Sequence, residues 1–297
     1  MKEKICIYHG NCADGFTSAW IMYSYYKFKF DYTVKFIPAS YGDEKESKEW
    51  IKANLKHKDV YFVDFSFKEE YMRYTCDVAD YVTVLDHHKT AEQYIKPMID
   101  EGLLSGVFNM NKSGATITWD WFFGDKEQPT LVKYVEDRDL WKFELPHSKE
   151  ISQYIFSFNY TFDNWDYISN ELEVRFLSCI TQGEAIERKH MKDTRELVAT
   201  TAIQNVKFNK FGLDTFTVAN LPYIYSSDGC HLIAQEYQDE FQKPVGITYF
   251  QNKDGKYVFS LRSIGDIDVS EMAKLYGGGG HKNAAGFVVG GIPFYKE

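Results

Sequence analysis

In Val82-Thr83-Val84-Leu85-Asp86-His87-His88 an apolar, β-branched run leads straight into an acid and two adjacent imidazoles, followed by Lys89 and Thr90. From Tyr81 to Leu85 the composition predicts a buried strand. In open α/β sheets ligands bind beyond the carboxyl ends of the strands, the position that Asp86, His87 and His88 occupy. Neutral imidazole beside carboxylate suits a divalent transition metal. Adjacent histidines on a loop are also common solvated surface, so the triplet needs its neighbours to decide its meaning.

Working back towards the N-terminus, the same pattern recurs. Ile5 to Tyr8 predicts a strand ending at His9-Gly10-Asn11-Cys12-Ala13-Asp14-Gly15, before a helix over Phe16 to Phe28. Val34 to Ile37 predicts a strand and Glu44 to Leu55 a helix; Val60 to Val63 is a third strand, stopping at Asp64 with Ser66 close by. Lys68 to Cys76 is the helix that returns to the strand before Asp86. Strands alternating with helices argue for a parallel, doubly wound sheet. Three strand ends carrying His or Asp at one sheet edge are hard to attribute to chance.

Beyond the triplet, Gly106 to Met110 predicts a short strand, and Ser113 reads as the N-cap of an aromatic helix running to Phe123. A helix from Pro129 ends in Glu136-Asp137-Arg138-Asp139-Leu140-Trp141. Such acid-Arg-acid runs are usually solvated ion pairs, yet a fourth carboxylate is what a two-metal site still needs. From Pro146 to about Thr201 the pattern is helical, with one long amphipathic helix expected over Glu171 to Ala202.

A second α/β unit follows. Val206 to Phe211 and Thr215 to Ala219 predict strands, Cys230 to Phe241 a helix, and Val245 to Phe250 with Tyr257 to Arg262 a hairpin turning at Asn252-Lys253-Asp254-Gly255. After a helix over Val269 to Tyr276 comes Gly277-Gly278-Gly279-Gly280-His281-Lys282-Asn283-Ala284-Ala285-Gly286. Glycines let backbone amides approach an anion, His281 and Lys282 add donors, and Arg262 offers a bidentate fork. The stretch is expected to bind an anion. The chain thus divides into residues 1–145, a helical connector 146–202, and a smaller α/β domain with a mixed sheet, 203–297.

Composition sets the limits. The 297 residues suit two domains, and 44% hydrophobic with 17% aromatic residues give ample material for cores. A net charge of -9 lacks the basic footprint of proteins that hold long nucleic acids. The five cysteines are scattered, with no C-x-x-C pair, which favours reduced thiols and a cytoplasmic protein. No apolar run approaches the roughly 20 residues of a membrane helix.

Taken together, Asp86-His87-His88 after its strand, Gly278-Gly279-Gly280-His281 leading to Ala284-Ala285-Gly286, and Arg262-Ser263 after Ser260-Leu261 resemble the DHH-family phosphoesterases with their C-terminal DHH-associated domain, in the nano-RNase and exopolyphosphatase-like branch related to RecJ-like exonucleases. The resemblance covers nearly the whole chain. It implies two Mn2+ ions, with Mg2+ or Co2+ as substitutes, bridged by Asp64. His9 would serve one ion, and Asp14, His87 and Asp137 the other. Asp86 would orient His87, and His88 would meet the scissile phosphate or assist the leaving group. Arg262, Ser263, Gly279, Gly280 and His281 would hold the substrate's terminal phosphate.

The resemblance further implies a phosphodiesterase that uses metal-activated water on short oligonucleotides or small nucleotide phosphoesters, working as a monomer or homodimer without a long nucleic-acid track or a membrane. An exopolyphosphatase or other phosphoanhydride hydrolase is the alternative within the enzymes. A catalytically weakened nucleotide-binding protein is the alternative outside them. The latter rests on Cys12, which stands where the family commonly has the first Asp of Asp-x-Asp, and which predicts a weakened first metal.

Overall fold

The computed structural model describes residues 2–29, 32–212, 214–236 and 244–296. They divide into two units, Met1–Glu187 and Arg188–Glu297. The first unit opens with β1 (Lys2–His9), α1 (Ala13–Tyr26), β2 (Tyr32–Ala39), α2 (Lys48–Leu55), β3 (Asp59–Val63), α3 (Glu69–Val78), β4 (Tyr81–Asp86), α4 (Lys89–Asp100) and β5 (Ser105–Phe108). The strands form one sheet in the order β2-β1-β3-β4-β5, every pair parallel.

Strand alternation explains the layers. Ile5 and Ile7, Val60 and Phe62, and Val82 and Val84 share one face and bury against Ile51 and Leu55 of α2, Met72 of α3, and Ile95 and Met98 of α4. The residues between them, Cys6, Val63 and Leu85, point the other way and meet Ala19 and Met22 of α1 and Ile117 of α5 (Gly114–Phe123). Side chains two apart line one face and their neighbours the other. Both faces are covered, as a parallel sheet requires. The sheet is doubly wound, with its order reversing at β1 and β3. At such a switch point the carboxyl ends of the strands diverge and leave a crevice. His9 and Asp64 stand there.

α6 (Thr130–Asp139), α7 (Ser148–Phe156), α8 (Phe162–Val174) and α9 (Phe176–Thr201) follow. The two units divide at 187/188, within the stretch 146–202 expected as a connector. Residues 146–187 belong to the first unit, where Ile151, Tyr154, Trp165 and Ile168 complete a core with Phe16 and Trp20 of α1. The indole of Trp165 also donates to Thr17 Oγ1 at 2.9 Å. The single helix expected over Glu171 to Ala202 is broken at Arg175, where φ is -134° and ψ 38°. Within α9, Gly183 admits α7: a Cβ there would lie 2.0 Å from the Glu150 carbonyl oxygen.

The second unit contains β6 (Ala202–Phe208), β7 (Thr215–Asn220), α10 (Ser226–Glu236), β8 (Val245–Gln251), β9 (Tyr257–Ser263), α11 (Val269–Lys274), β10 (Gly279–His281), β11 (Ala284–Val289) and β12 (Phe294–Lys296). Its sheet runs β10-β11-β9-β8-β7-β6-β12, antiparallel except for the parallel pair β7 and β8, and so is mixed. Residues 237–241 of the expected helix lie outside the described residues. Phe208, Phe216, Ile247, Phe259 and Phe287 fill its core. Among the described residues no helix is long and apolar enough to cross a membrane.

Candidate metal centre

Asp64 is the central residue. It follows β3 in a left-handed conformation, φ 54°, which non-glycine residues seldom adopt. A Cβ on Gly114 would lie 2.4 Å from Asp64 Cβ, so only glycine lets α5 begin this close. The two oxygens of Asp64 look opposite ways along the switch point. Oδ1 lies 3.0 Å from His87 Nε2, and Oδ2 faces His9 Nδ1 at 3.5 Å. Burial opposes the charge, but His87 and His9 outweigh it and hold this carboxyl well below the usual range.

Asp14 arrives from the first turn of α1. Its Oδ2 accepts from the Gly114 amide at 2.6 Å and its Oδ1 from the Ala115 amide at 2.9 Å, so it caps α5. Burial, with Asp64 and Asp139 beside it, pushes its pKa well up. Gly15 is required here too, since a Cβ would fall 2.3 Å from the His9 carbonyl oxygen.

Asp86 serves its own two histidines. Its Oδ1 accepts from the backbone amides of His87 at 2.7 Å and His88 at 3.2 Å, and meets His88 Nδ1 at 2.8 Å; Oδ2 accepts from Ser66 Oγ at 2.9 Å. Burial works against the Asp86 charge, but His88 prevails and lowers the pKa. The ring that Asp86 orients is therefore His88, whereas the expectation was His87. His87 is positioned by Asp64, and Asp14 and Asp139 each place an oxygen 3.6 Å from its Nε2. Burial alone would lower its pKa; these three acids raise it to about 10.

The carboxylate at the end of α6 is Asp139, not Asp137. Asp137 is buried but faces the following loop, accepting from the amides of Glu144 at 2.9 Å and Leu145 at 3.3 Å. Asp139 Oδ2 is buried among the acids and imidazoles without a hydrogen-bond partner, and burial raises its pKa. A signal was available: Leu131, Val135 and Asp139 fall at four-residue spacing on one helix face.

Within the first unit, two groups have ligand atoms all within 4.8 Å of one another: His9, Asp64 and His88, and Asp14, Asp64 and His87. Both contain Asp64. Among the described residues His9 Nδ1, Asp64 Oδ2 and Asp139 Oδ2 are buried without hydrogen-bond partners, and buried polar groups are normally paired. Buried Asp14 and Asp64, the half-buried Asp139 and three imidazoles are the donor set of a divalent cation. The residues fit a metal. Cys12 is the N-cap residue of α1 but makes no side-chain capping bond, and burial together with Asp64, Asp139 and Asp14 raises its thiol pKa well up. It stands as a neutral thiol.

In the second unit the expected anion loop is a strand. β10 pairs with β11, and its glycines answer to packing: a Cβ on Gly278 would meet the Gly286 carbonyl oxygen at 2.0 Å, and one on Gly280, at φ 140°, the Ala284 oxygen at 2.4 Å. Gly279 pairs with Gly286, and His281 with Ala284. Arg262 donates to the Leu261 carbonyl at 2.9 Å and to Ser227 Oγ at 3.1 Å. Ser263 donates to the Ile267 carbonyl at 2.7 Å and accepts from Asn283 Nδ2 at 2.9 Å, so it braces the turn after β9.

Residues 214–291 match the DHHA1 domain. The uncharacterized protein R106 of Acanthamoeba polyphaga mimivirus is 31% identical over 311 residues, spanning 99% of this chain and 70% of its own length. With that relative, the DHHA1 domain and Asp86-His87-His88 at the end of β4, the chain belongs to the DHH family of phosphoesterases. Among solved structures it is similar to an uncharacterized protein of Helicobacter pylori G27, at 14% identity and TM-score 0.47, covering 99% of this chain and 95% of that one. It is also similar to PggH, a pGpG-specific phosphodiesterase of Vibrio cholerae, at 12% identity and TM-score 0.46, covering 97% and 93%.

Proposed function

We propose that the protein is a metal-dependent phosphodiesterase that hydrolyses short oligonucleotides or small nucleotide phosphoesters, with manganese as its working metal. The observation that carries this reading is the sharing of Asp64 by two ligand groups at the switch point of a parallel sheet. His9, Asp64 and His88 would hold one cation; Asp14, Asp64, His87 and Asp139 the other. Two such cations supply an acidified water and counter-charge for the oxygens around phosphorus. We place His88 with the first cation and not on the scissile phosphate, because it lies in a ligand group with His9 and Asp64.

The protein's own residues do the positioning. Asp86 keeps the proton of His88 on Nδ1 and so directs Nε2 away from itself. α5 fixes Asp14 by its first two amides. Arg262 and His281 of the second unit are the contacts for a substrate phosphate; Gly278 and Gly280 let the chain at β10 lie close to β11, Gly279 pairs with Gly286, and Ser263 braces its turn. The net charge of -9 favours short, end-bound substrates, and five free cysteines favour the cytoplasm.

The test is hydrolysis with manganese of pGpG, a 5′-phosphorylated dinucleotide, adenosine bisphosphate and short-chain polyphosphate in parallel, with Asp64→Asn as control. Turnover of the nucleotides that Asp64→Asn abolishes is the expected result. Turnover of polyphosphate alone would replace the reading with a phosphoanhydride hydrolase. Nucleotide binding without turnover would replace it with a sensor.

A further inference from the structure

A histidine that binds a metal is normally oriented by a carboxylate or carbonyl on its other ring nitrogen. His88 has Asp86. His9 has no such partner: among the described residues its Nδ1 is buried without a hydrogen bond and faces Asp64 Oδ2, itself a proposed ligand, at 3.5 Å. Yet His9 sits in one ligand group with Asp64 and His88. Something else must set its orientation.

The ring is enclosed by aromatic edges. Its centroid lies 5.8 Å from that of Tyr41 at 67°, 6.0 Å from Phe65 at 30°, and 5.3 Å from His88 at 74°. Tyr41 also meets His88 at 5.8 Å and 72°, and packs on Phe65 at 5.0 Å. Edge-to-face contacts at these separations are the favourable geometry for rings and fix their planes relative to each other. Tyr41 touches both imidazoles of the group edge-to-face without being a ligand itself. Phe65 is fully buried in the core beneath, whereas Tyr41 is only partly buried, just past the end of β2, and is not a core residue of the sheet.

We propose that Tyr41 is a positioning residue that sets the cation affinity of the His9–Asp64–His88 group by holding the two imidazole planes, without touching the cation. The proposal rests on the metal reading above and adds to it the residue that replaces the missing hydrogen bond on His9. The operative part is the ring. The Tyr41 hydroxyl is buried without a hydrogen-bond partner among the described residues, so it anchors nothing.

Calorimetric titration of the metal-free full-length protein with Mn2+ tests this, with Tyr41→Phe, Tyr41→Leu and Tyr41→Ala beside the wild type and metal-free melting as the control for folding. Leu keeps apolar volume but has no aromatic edge, which guards against a collapse in the Ala variant. The expected result is that Phe binds like the wild type, while Leu and Ala weaken one binding step by about 10–100-fold, the range for residues that orient metal ligands, and spare the other. Binding by Leu and Ala that matches the wild type would overturn the proposal. So would equal weakening of both steps together with a lower metal-free melting temperature, which would make Tyr41 a structural wall only. A wild type that takes up no manganese would sink the metal reading itself and the proposal with it, and the wild-type titration alone identifies that failure.

Discussion

His88 Nδ1 lies 2.8 Å from Asp86 Oδ1, and since an ionised carboxylate only accepts, the proton on that nitrogen is fixed. The tautomer of His88 is therefore written into the Asp86-His87-His88 triplet itself. Asp86→Asn keeps an acceptor and loses the charge. It is expected to lower manganese affinity by about 10–100-fold, as outer partners of metal ligands do, with little change in the metal-free far-ultraviolet circular dichroism spectrum. An unchanged affinity would remove Asp86 from the site.

Asp137 and Asp139 separate two roles two residues apart. Asp139→Asn should abolish manganese-dependent turnover while leaving metal-free melting equal or higher, because it removes one of three crowded acids. Asp137→Ala strips acceptors from the Glu144 and Leu145 amides, with a cost of about 1–3 kcal/mol for buried groups left unpaired. Its melting temperature should fall while manganese affinity holds. Melting and titration of the two variants side by side decide the assignment.

In the metal-free protein His87 is raised from 6.5 to about 10 by Asp64, Asp139 and Asp14. A group whose folded pKa lies above its unfolded one adds stability that is complete below about 6.5 and lost as pH climbs through about 10. Asp14 and Asp139, also raised, act in the same direction, whereas Asp64 and Asp86, lowered, contribute nothing that changes above neutrality. Metal-free melting should accordingly decline from pH 7 to 10, and manganese should bind more tightly as pH rises and release protons as it binds. Titrations in buffers of different ionisation enthalpy measure that release.

Cys12→Asp adds a fourth acid to the buried group. Its expected effect is a lower metal-free melting temperature that manganese restores, without a large gain in turnover, because Asp139 already supplies the carboxylate that Asp137 does not. A large gain would mark the site as decayed.

Gly114→Ala would put a methyl 2.4 Å from Asp64 Cβ. Overpacking of this kind costs about 1–3 kcal/mol, and here the displaced atom belongs to the residue both ligand groups share. A fall in melting temperature should come with loss of manganese binding, read in one titration.

The doubly wound sheet was legible because short apolar, β-branched runs alternate with helical segments along the first part of the chain. His9, Asp64, His87 and His88 stand out in the sequence because they close or directly follow strands, and Asp14 because it lies in the polar stretch after the first one. Asp139 was missed because Asp137 and Asp139 are chemically alike in sequence, and only the loop that folds back onto Asp137 tells them apart. The partner of Asp86 was misassigned because adjacent side chains diverge, and which of them returns to Asp86 depends on the backbone after β4. Glycines 277–280 were read as a cradle for an anion. The close packing of β10 on β11 makes the same demand for the missing Cβ, and nothing local distinguishes the two. Nothing in the sequence tied Tyr41, one of 22 tyrosines, to the two imidazoles.

Every proposed cation ligand, from His9 to Asp139, lies in the first unit, and Arg262 and His281 lie in the second. Under the proposed function the cutting chemistry and the reading of the substrate are therefore encoded in separate stretches of one gene. Selection can revise the second stretch for a new substrate while leaving the first untouched, so related proteins with the same ligands need not share a substrate.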